Sequence, residues 1–286
     1  MSLRKIGVVV GDPAGVGPEI VEAALRGFEV AGVEFEVLQP GGIHEPGKPT
    51  RESALAAVWA LEESARRCLS REWCGVVTGP VCKHAMHAAG FKFPGQTEFF
   101  AERAGVLNFA MCLTGGPLTV ALVTAHVPLA RVAGLLDRAE IVRVGKLLRD
   151  FLVSRGISQP RIAVAGLNPH AGEEGDIGRE EIEVVAPAVA ELAAHGAFAG
   201  PYAPDTVFHR AVGGEFDGVL CMYHDQGLIP LKLLAFHEGV NITLGLPFVR
   251  TSPDHGTAFD IAGKGVARCD SMRAALRLAV ELAGRS

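Results

Sequence analysis

The sequence predicts an α/β fold with a mostly parallel, doubly wound sheet, and three observations carry that prediction. Short apolar runs recur along the chain, stretches with helical spacing lie between them, and the two patterns alternate through most of the 286 residues. Alternation of this kind is expected where helices cover both faces of a parallel sheet. In order, residues 6–10, 35–38, 75–78, 120–124, 161–165 and 218–222 read as buried strands, because each is short, apolar and rich in β-branched residues. Between them, Leu55, Val58, Leu61, Ala65 and Cys68 recur at helical spacing, as do Ile141, Val144, Leu148 and Phe151. Met272, Ala275, Ala279 and Leu282 repeat the pattern near the end. Two close runs, 108–113 and 118–124, flank Thr114-Gly115-Gly116-Pro117, a hairpin signal that makes the sheet mixed at that point. There is no internal repeat and no low-complexity linker, so a second domain is inserted or closely packed.

Composition narrows the function. Hydrophobic residues make up 49% of the chain, enough for one large domain or two that share a cleft. The formal net charge is -5 and the Lys and Arg residues are scattered, which argues against a nucleic-acid partner. Gly, Pro or charge interrupts every apolar stretch before it reaches membrane-spanning length, which argues against a membrane protein. Met1 to Lys5 lead directly into a strand, so no signal peptide is expected. Six cysteines (68, 74, 82, 112, 221 and 269) form no C-x-x-C pair, and reduced thiols in a cytoplasmic protein are the economical reading.

Three loops stand out for their chemistry. They read Thr124-Ala125-His126-Val127-Pro128, Asn168-Pro169-His170-Ala171-Gly172 and Tyr223-His224-Asp225-Gln226-Gly227, and each follows an apolar run. A histidine just past a buried strand sits at the mouth of an α/β sheet, where ligands bind. Neutral imidazoles converging there would hold a divalent metal and leave positions open for a substrate. Asp225 is a candidate ligand, a partner that orients a ligand, an acid/base group, or simply a turn-forming residue.

Three further stretches are candidates. Gly11-Asp12-Pro13-Ala14-Gly15-Val16-Gly17-Pro18-Glu19 follows the first strand and could bring a ligand close to the backbone, or could be only a tight turn. Lys232, Asn241 and Arg250 place two cations and an amide around an apolar stretch, suited to a phosphate or carboxylate unless the cations simply reach to solvent. In Ser252-Pro253-Asp254-His255-Gly256-Thr257-Ala258, Gly256 and Thr257 can open a helix that Gly263 would end, and His255 can cap it or stack on an adenine ring.

Several of these segments, together with Thr78-Gly79-Pro80, Gly95-Gln96-Thr97-Glu98-Phe99, Leu167-Asn168-Pro169-His170-Ala171-Gly172-Glu173 and Asn241-Ile242-Thr243-Leu244-Gly245-Leu246-Pro247, resemble the 4-hydroxythreonine-4-phosphate dehydrogenase family of pyridoxal phosphate biosynthesis. The loop at Asp254, His255 and Gly256 also resembles the adenine-side loop of isocitrate and isopropylmalate dehydrogenases. The resemblance implies an isocitrate/isopropylmalate dehydrogenase-like fold, with two lobes of mixed, mostly parallel sheet around a central cleft. Residues 1–95 plus 250–286 would form the nucleotide-side lobe, and 96–249 the metal, substrate and dimerisation lobe.

The same resemblance implies a metal-dependent NAD or NADP oxidoreductase. His126, His170 and His224 would bind one Zn, Co or Mg ion, with the set completed across a homodimer interface. Gln96, Thr97, Lys232, Asn241 and Arg250 would bind substrate, and Gly11, Asp12, Asp254, His255 and Gly256 the cofactor. Asp225 and Lys232 would be the catalytic acid/base candidates. The chain departs from the family pattern where Gln96 and Cys82 replace histidines, and where the segment between Leu38 and Thr50 is short. These departures admit threonate 4-phosphate or a dihydrodiol as the substrate instead. The rival classes are a metal-dependent hydrolase and a non-catalytic binder of a phosphorylated metabolite. Nucleotide binding separates the first rival from a dehydrogenase. Full ligand affinity without metal would mark the second.

Overall fold

The computed structural model describes residues 3–284, which form two compact units. The first comprises the chain through Leu107 and from His237 onward, and the second runs from Asn108 to Phe236.

In the first unit, β1 (Arg4–Val9), β2 (Val33–Leu38), β3 (Gly75–Thr78), β9 (Val240–Leu244) and β10 (Val249–Pro253) are ordered β2-β1-β3-β10-β9. All pairs are parallel except β9 with β10. Helix α2 (Arg51–Leu69) starts where the Thr50 hydroxyl accepts from the Ser53 backbone N–H, while the Ser53 hydroxyl accepts from the Thr50 N–H. Its buried stripe is Ala54, Ala57, Leu61, Ala65 and Cys68. Of the residues marked by spacing, Leu61, Ala65 and Cys68 are buried, whereas Leu55 is exposed and Val58 only partly buried, because the first turns bury the alanine face instead. Leu61, Ala65 and Cys68 join Trp73, Phe99, Phe100 and Phe248 in one core cluster. α1 (Gly17–Leu25), α3 (Lys83–Ala88), α4 (Gln96–Arg103) and α10 (Asp270–Ala283) complete this unit.

In the second unit the order is β4-β5-β8-β6-β7, from β4 (Ala110–Gly115), β5 (Leu118–Leu122), β6 (Arg161–Ala165), β7 (Ala197–Tyr202) and β8 (Gly218–Cys221). β4 and β5 form the expected antiparallel hairpin, and the other pairs are parallel. Around them lie α5 (Leu129–Leu135), α6 (Arg138–Ser154), α7 (Ala186–Leu192), α8 (Val207–Val212) and α9 (His224–Ala235).

Four features differ from expectation. β9 and β10 are strands where the apolar runs named none, because their pairing with each other and with β3 sets them in the sheet. β7 is a strand although Gly200 and Pro201 interrupt its pattern, because an outer strand pairs on one side only and tolerates proline. Residues 256–263 turn instead of forming a helix, since Ala258 has φ 41° and a right-handed helix cannot run through a left-handed residue. The unit boundaries fall at 107/108 and 236/237, where the sequence reading drew 95/96 and 249/250. Phe99 and Phe100 of α4 pack into the first unit's core, and β9 pairs with β10, so residues 96–107 and 237–249 belong to the first unit.

Candidate functional site

Parallel pairing makes β5, β8 and β6 neighbours, so their C-terminal ends share one edge of the second unit. His126 follows β5, His170 follows β6, and His224 opens α9 directly after β8. The two loop histidines sit on unusual backbone. His126 has φ 55° and His170 φ 53°, and residues 170–174 all occupy the left-handed region. Left-handed conformation in residues with a Cβ costs roughly 1–2 kcal/mol each, and it persists where surrounding structure imposes it, commonly at functional sites.

The His126 and His224 rings lie with centroids 5.6 Å apart. Two imidazoles bound to one ion at about 2.0–2.1 Å have centroids no more than about 6.5 Å apart, so this pair fits a shared metal. His224 Nδ1 is 2.7 Å from Asp225 Oδ1, and His170 Nδ1 is 2.9 Å from Glu173 Oε2. A carboxylate on Nδ1 fixes the ring and its tautomer and leaves Nε2 for the metal, the usual arrangement of ligating histidines. Glu173 also raises the pKa of His170 by hydrogen bonding and charge. Among the described residues, however, no three His, Cys, Asp or Glu side chains gather closely enough to hold an ion. The three histidines do not converge within one chain. Lys232 is half-buried on α9, the helix that His224 begins.

The first unit builds a different kind of site. Arg250 on β10 is 3% exposed. Its Nη2 donates to Thr78 Oγ1 and Gln96 Oε1, both at 2.9 Å, and its Nη1 donates to Thr243 Oγ1 at 3.3 Å and Asn241 Oδ1 at 3.4 Å. Its buried Nε has no partner. Burial lowers the guanidinium pKa to about 10, partly offset by the charge of Glu98. A buried cation hydrogen-bonded only by neutral groups is costly unless an anion joins it. Thr97 adds its hydroxyl, 3.3 Å from that of Thr243. The guanidinium has no acceptor, so Gln96 must turn its oxygen toward it, and its amide nitrogen donates to Gly79 O at 3.2 Å. Gln96 thereby holds Arg250 in place.

The proposed nucleotide residues also lie in this unit. Asp12 N–H donates to Pro80 O at 2.9 Å, and Val16 N–H to Thr257 O at 2.9 Å, which ties the 11–17 turn to the loop that carries Asp254, His255 and Gly256. Gly11 has φ +79°, and a Cβ there would meet Pro80 O at 2.2 Å, so only glycine fits. Asp12 is fully buried; its Oδ1 accepts from Ala14 N–H, and its Oδ2 has no donor. A cavity of about 870 Å³ runs along this turn, lined by Pro13, Gly15, Glu19, Val37, Gln39 and Gly263. Asp254 is held by its backbone N–H to Ser271 Oγ, and His255 is exposed.

A family model for the pyridoxal phosphate biosynthetic protein PdxA matches residues 16–279. The chain belongs to the PdxA family. A 4-hydroxythreonine-4-phosphate dehydrogenase from Caulobacter vibrioides is 42% identical, with 100% of this chain and 99% of the relative covered. A D-threonate 4-phosphate dehydrogenase from Pectobacterium atrosepticum is 38% identical over 97% of this chain and 99% of its own length. The crystal structure of a 4-hydroxythreonine-4-phosphate dehydrogenase from Klebsiella pneumoniae superimposes with a TM-score of 0.85 at 37% identity, covering 98% of this chain and 99% of that one. An isocitrate dehydrogenase from Methylococcus capsulatus shares the fold, with a TM-score of 0.57 at 16% identity over 99% of this chain and 86% of its own.

In this PdxA-family chain the geometry brings forward several residues that carry no local sequence signal. Thr78 and Thr243 contact Arg250, and Glu173 orients His170. Thr78, Thr243 and Glu173 lie inside the motifs quoted above, but nothing local marked their roles. Gln226 accepts from Met222 N–H and donates to Gly166 O at 2.6 Å, joining the strand ends that lead to His224 and His170. Its partner is distant in sequence, so no local pattern announces it.

Proposed function

We propose that the chain oxidises 4-phosphohydroxy-L-threonine with NAD or NADP, giving a β-keto acid that loses CO₂ to leave 3-amino-2-oxopropyl phosphate. The observation that carries this reading is the buried Arg250, hydrogen-bonded by the neutral side chains of Thr78, Gln96, Thr243 and Asn241, in a chain of the PdxA family. Arg250, Asn241 and Thr243 grip the substrate phosphate, and Thr97 supports them. Lys232 adds a cation to the bound substrate or takes part in proton transfer. Asp225 orients His224 through Nδ1 and would take up the proton released in the oxidation.

His126, His170 and His224 hold the metal through Nε2, and an all-imidazole set favours Zn or Co over Mg, which prefers oxygen donors. When bound, the metal supplies a Lewis acid for the substrate hydroxyl, and the nicotinamide supplies the hydride acceptor. Asp12 Oδ2, a buried acceptor without a donor, fits a nucleotide hydroxyl or amide brought to the 11–17 turn. A homodimer whose copies complete each other's metal site would bring a third imidazole to His126 and His224, which His170 of the same chain does not join. The exposed apolar face of α9, Ile229 and Leu233, supports that association. Six free cysteines fit a reducing, cytoplasmic setting.

Gln96 favours a second reading, in which the substrate is D-threonate 4-phosphate, as in the Pectobacterium relative. NAD⁺ reduction with each phosphorylated substrate and with a non-phosphorylated diol, zinc or cobalt being supplied, separates the readings. Turnover on 4-phosphohydroxy-threonine is expected. Turnover on threonate 4-phosphate alone moves the substrate assignment, and turnover on the diol alone removes the phosphate role of Arg250.

A further inference from the structure

Residues 166–175 present a physical puzzle. His170, Ala171, Glu173 and Glu174 all carry a Cβ, yet each sits in the left-handed region. Without an external restraint such a run reverts to ordinary backbone, because each residue costs roughly 1–2 kcal/mol there. The restraint comes from elsewhere in the sequence. Glu181 is 3% exposed. Its Oε1 accepts from both Leu167 N–H and Asn168 N–H at 2.7 Å, and its Oε2 accepts from Asn168 Nδ2 at 2.9 Å. Glu180 Oε2 takes the other Asn168 amide hydrogen at 2.7 Å. Glu181 also begins a single π-helical turn, Glu181–Val185. Such turns insert an extra residue into a helix and occur often near functional sites. The fit is close, since a Cβ on Gly172 would come within 2.7 Å of Glu181 Oε2.

We infer that Glu181 is the positioning residue of His170: its carboxylate clamps the start of the loop, which fixes the left-handed turn and therefore the place from which the imidazole is presented. The inference rests on the metal reading of His170 given above. It assigns two carboxylates separate tasks. Glu173 orients the ring through Nδ1 and sits exposed beside it. Glu181 never touches the ring, and positions the backbone that carries it. A carboxylate suits this task because it only accepts, and all three groups facing it only donate.

The Glu181→Gln variant keeps the shape but turns one acceptor into a donor that must face another donor. Cobalt(II) titration of the purified full chain, read by affinity and by the visible cobalt spectrum, is the test, with amide hydrogen exchange measured on the same samples. Cobalt affinity is expected to fall about 10–100-fold, exchange at 167–172 to quicken, and far-UV circular dichroism to stay unchanged. Wild-type affinity and spectrum in folded Glu181→Gln would overturn the inference and leave Glu181 a stabiliser only. A His170→Ala arm sets the floor for affinity. If His170→Ala binds cobalt as wild type does, the metal reading of His170 has failed. Exchange at 167–172 then decides the clamp alone: unchanged exchange in Glu181→Gln removes it, and faster exchange keeps it. Should Glu181→Gln not fold, Asn168→Ala removes the side-chain donor while sparing both backbone bonds. A several-fold loss of cobalt affinity is then expected, and wild-type affinity overturns the inference.

Discussion

Arg250 is the residue whose surroundings most clearly ask for a ligand. Its hydrogen bonds go to two threonines, a glutamine and an asparagine, and burial brings its pKa down to about 10, which still leaves it charged at neutral pH. Lysine offers a point charge and cannot reproduce the planar fork. Arg250→Lys is therefore expected to raise KM for a phosphorylated substrate about tenfold or more, in line with the roughly 1.5–3 kcal/mol carried by hydrogen bonds to charged groups, with a smaller change in kcat. Steady-state kinetics on that variant checks the assignment, and an unchanged KM would remove Arg250 from the substrate site. The sequence marked Arg250 as a cation near a sheet mouth. It did not reveal that Gln96 and Thr78 hold the guanidinium, because those residues meet it only after three chain segments fold together.

Among the elements, α2 shows how local sequence becomes structure. Its apolar stripe was plain from spacing only from Leu61 onward, since Leu55 is exposed, and its start is set by reciprocal bonds between Thr50 and Ser53. Thr50→Ala removes the acceptor for the Ser53 N–H and is expected to cost about 1 kcal/mol, lowering the melting midpoint by about 2–4 °C with activity unchanged. Calorimetry giving the wild-type midpoint would show that the cap contributes nothing. The site-bearing elements were less legible. Strands β5, β6 and β8 were readable as apolar runs, but their adjacency, which puts three histidines on one edge, is a matter of topology. The loop after β6 is stranger still, since Ala171, Glu173 and Glu174 carry no signal for left-handed backbone.

For the whole molecule, the question is association. Ile229 is 66% and Leu233 84% exposed on α9, the helix that begins with His224. Large apolar side chains grouped on one helix beside a candidate metal site fit a surface that a second copy covers. The proposed homodimer predicts that Leu233→Glu shifts sedimentation from dimer to monomer and weakens metal binding along with it. A variant that remains dimeric with full metal affinity would move the interface elsewhere on the chain.

Strand and helix alternation, the hairpin between β4 and β5 and the three strand-end histidines were legible in the chain because periodicity and turn chemistry are local. The PdxA family was reached through the resemblance of whole motifs, and the family model shows it. The tertiary structure alone decided that residues 96–107 and 237–249 join the first unit, that residues 256–263 do not form a helix, and that His126 lies near His224 without His170 completing the set. It also decided that Glu181 reaches back to the loop of His170. Each of those outcomes depends on which distant groups share space, and a carboxylate that satisfies two backbone N–H groups more than a dozen residues away leaves no periodic trace in the chain.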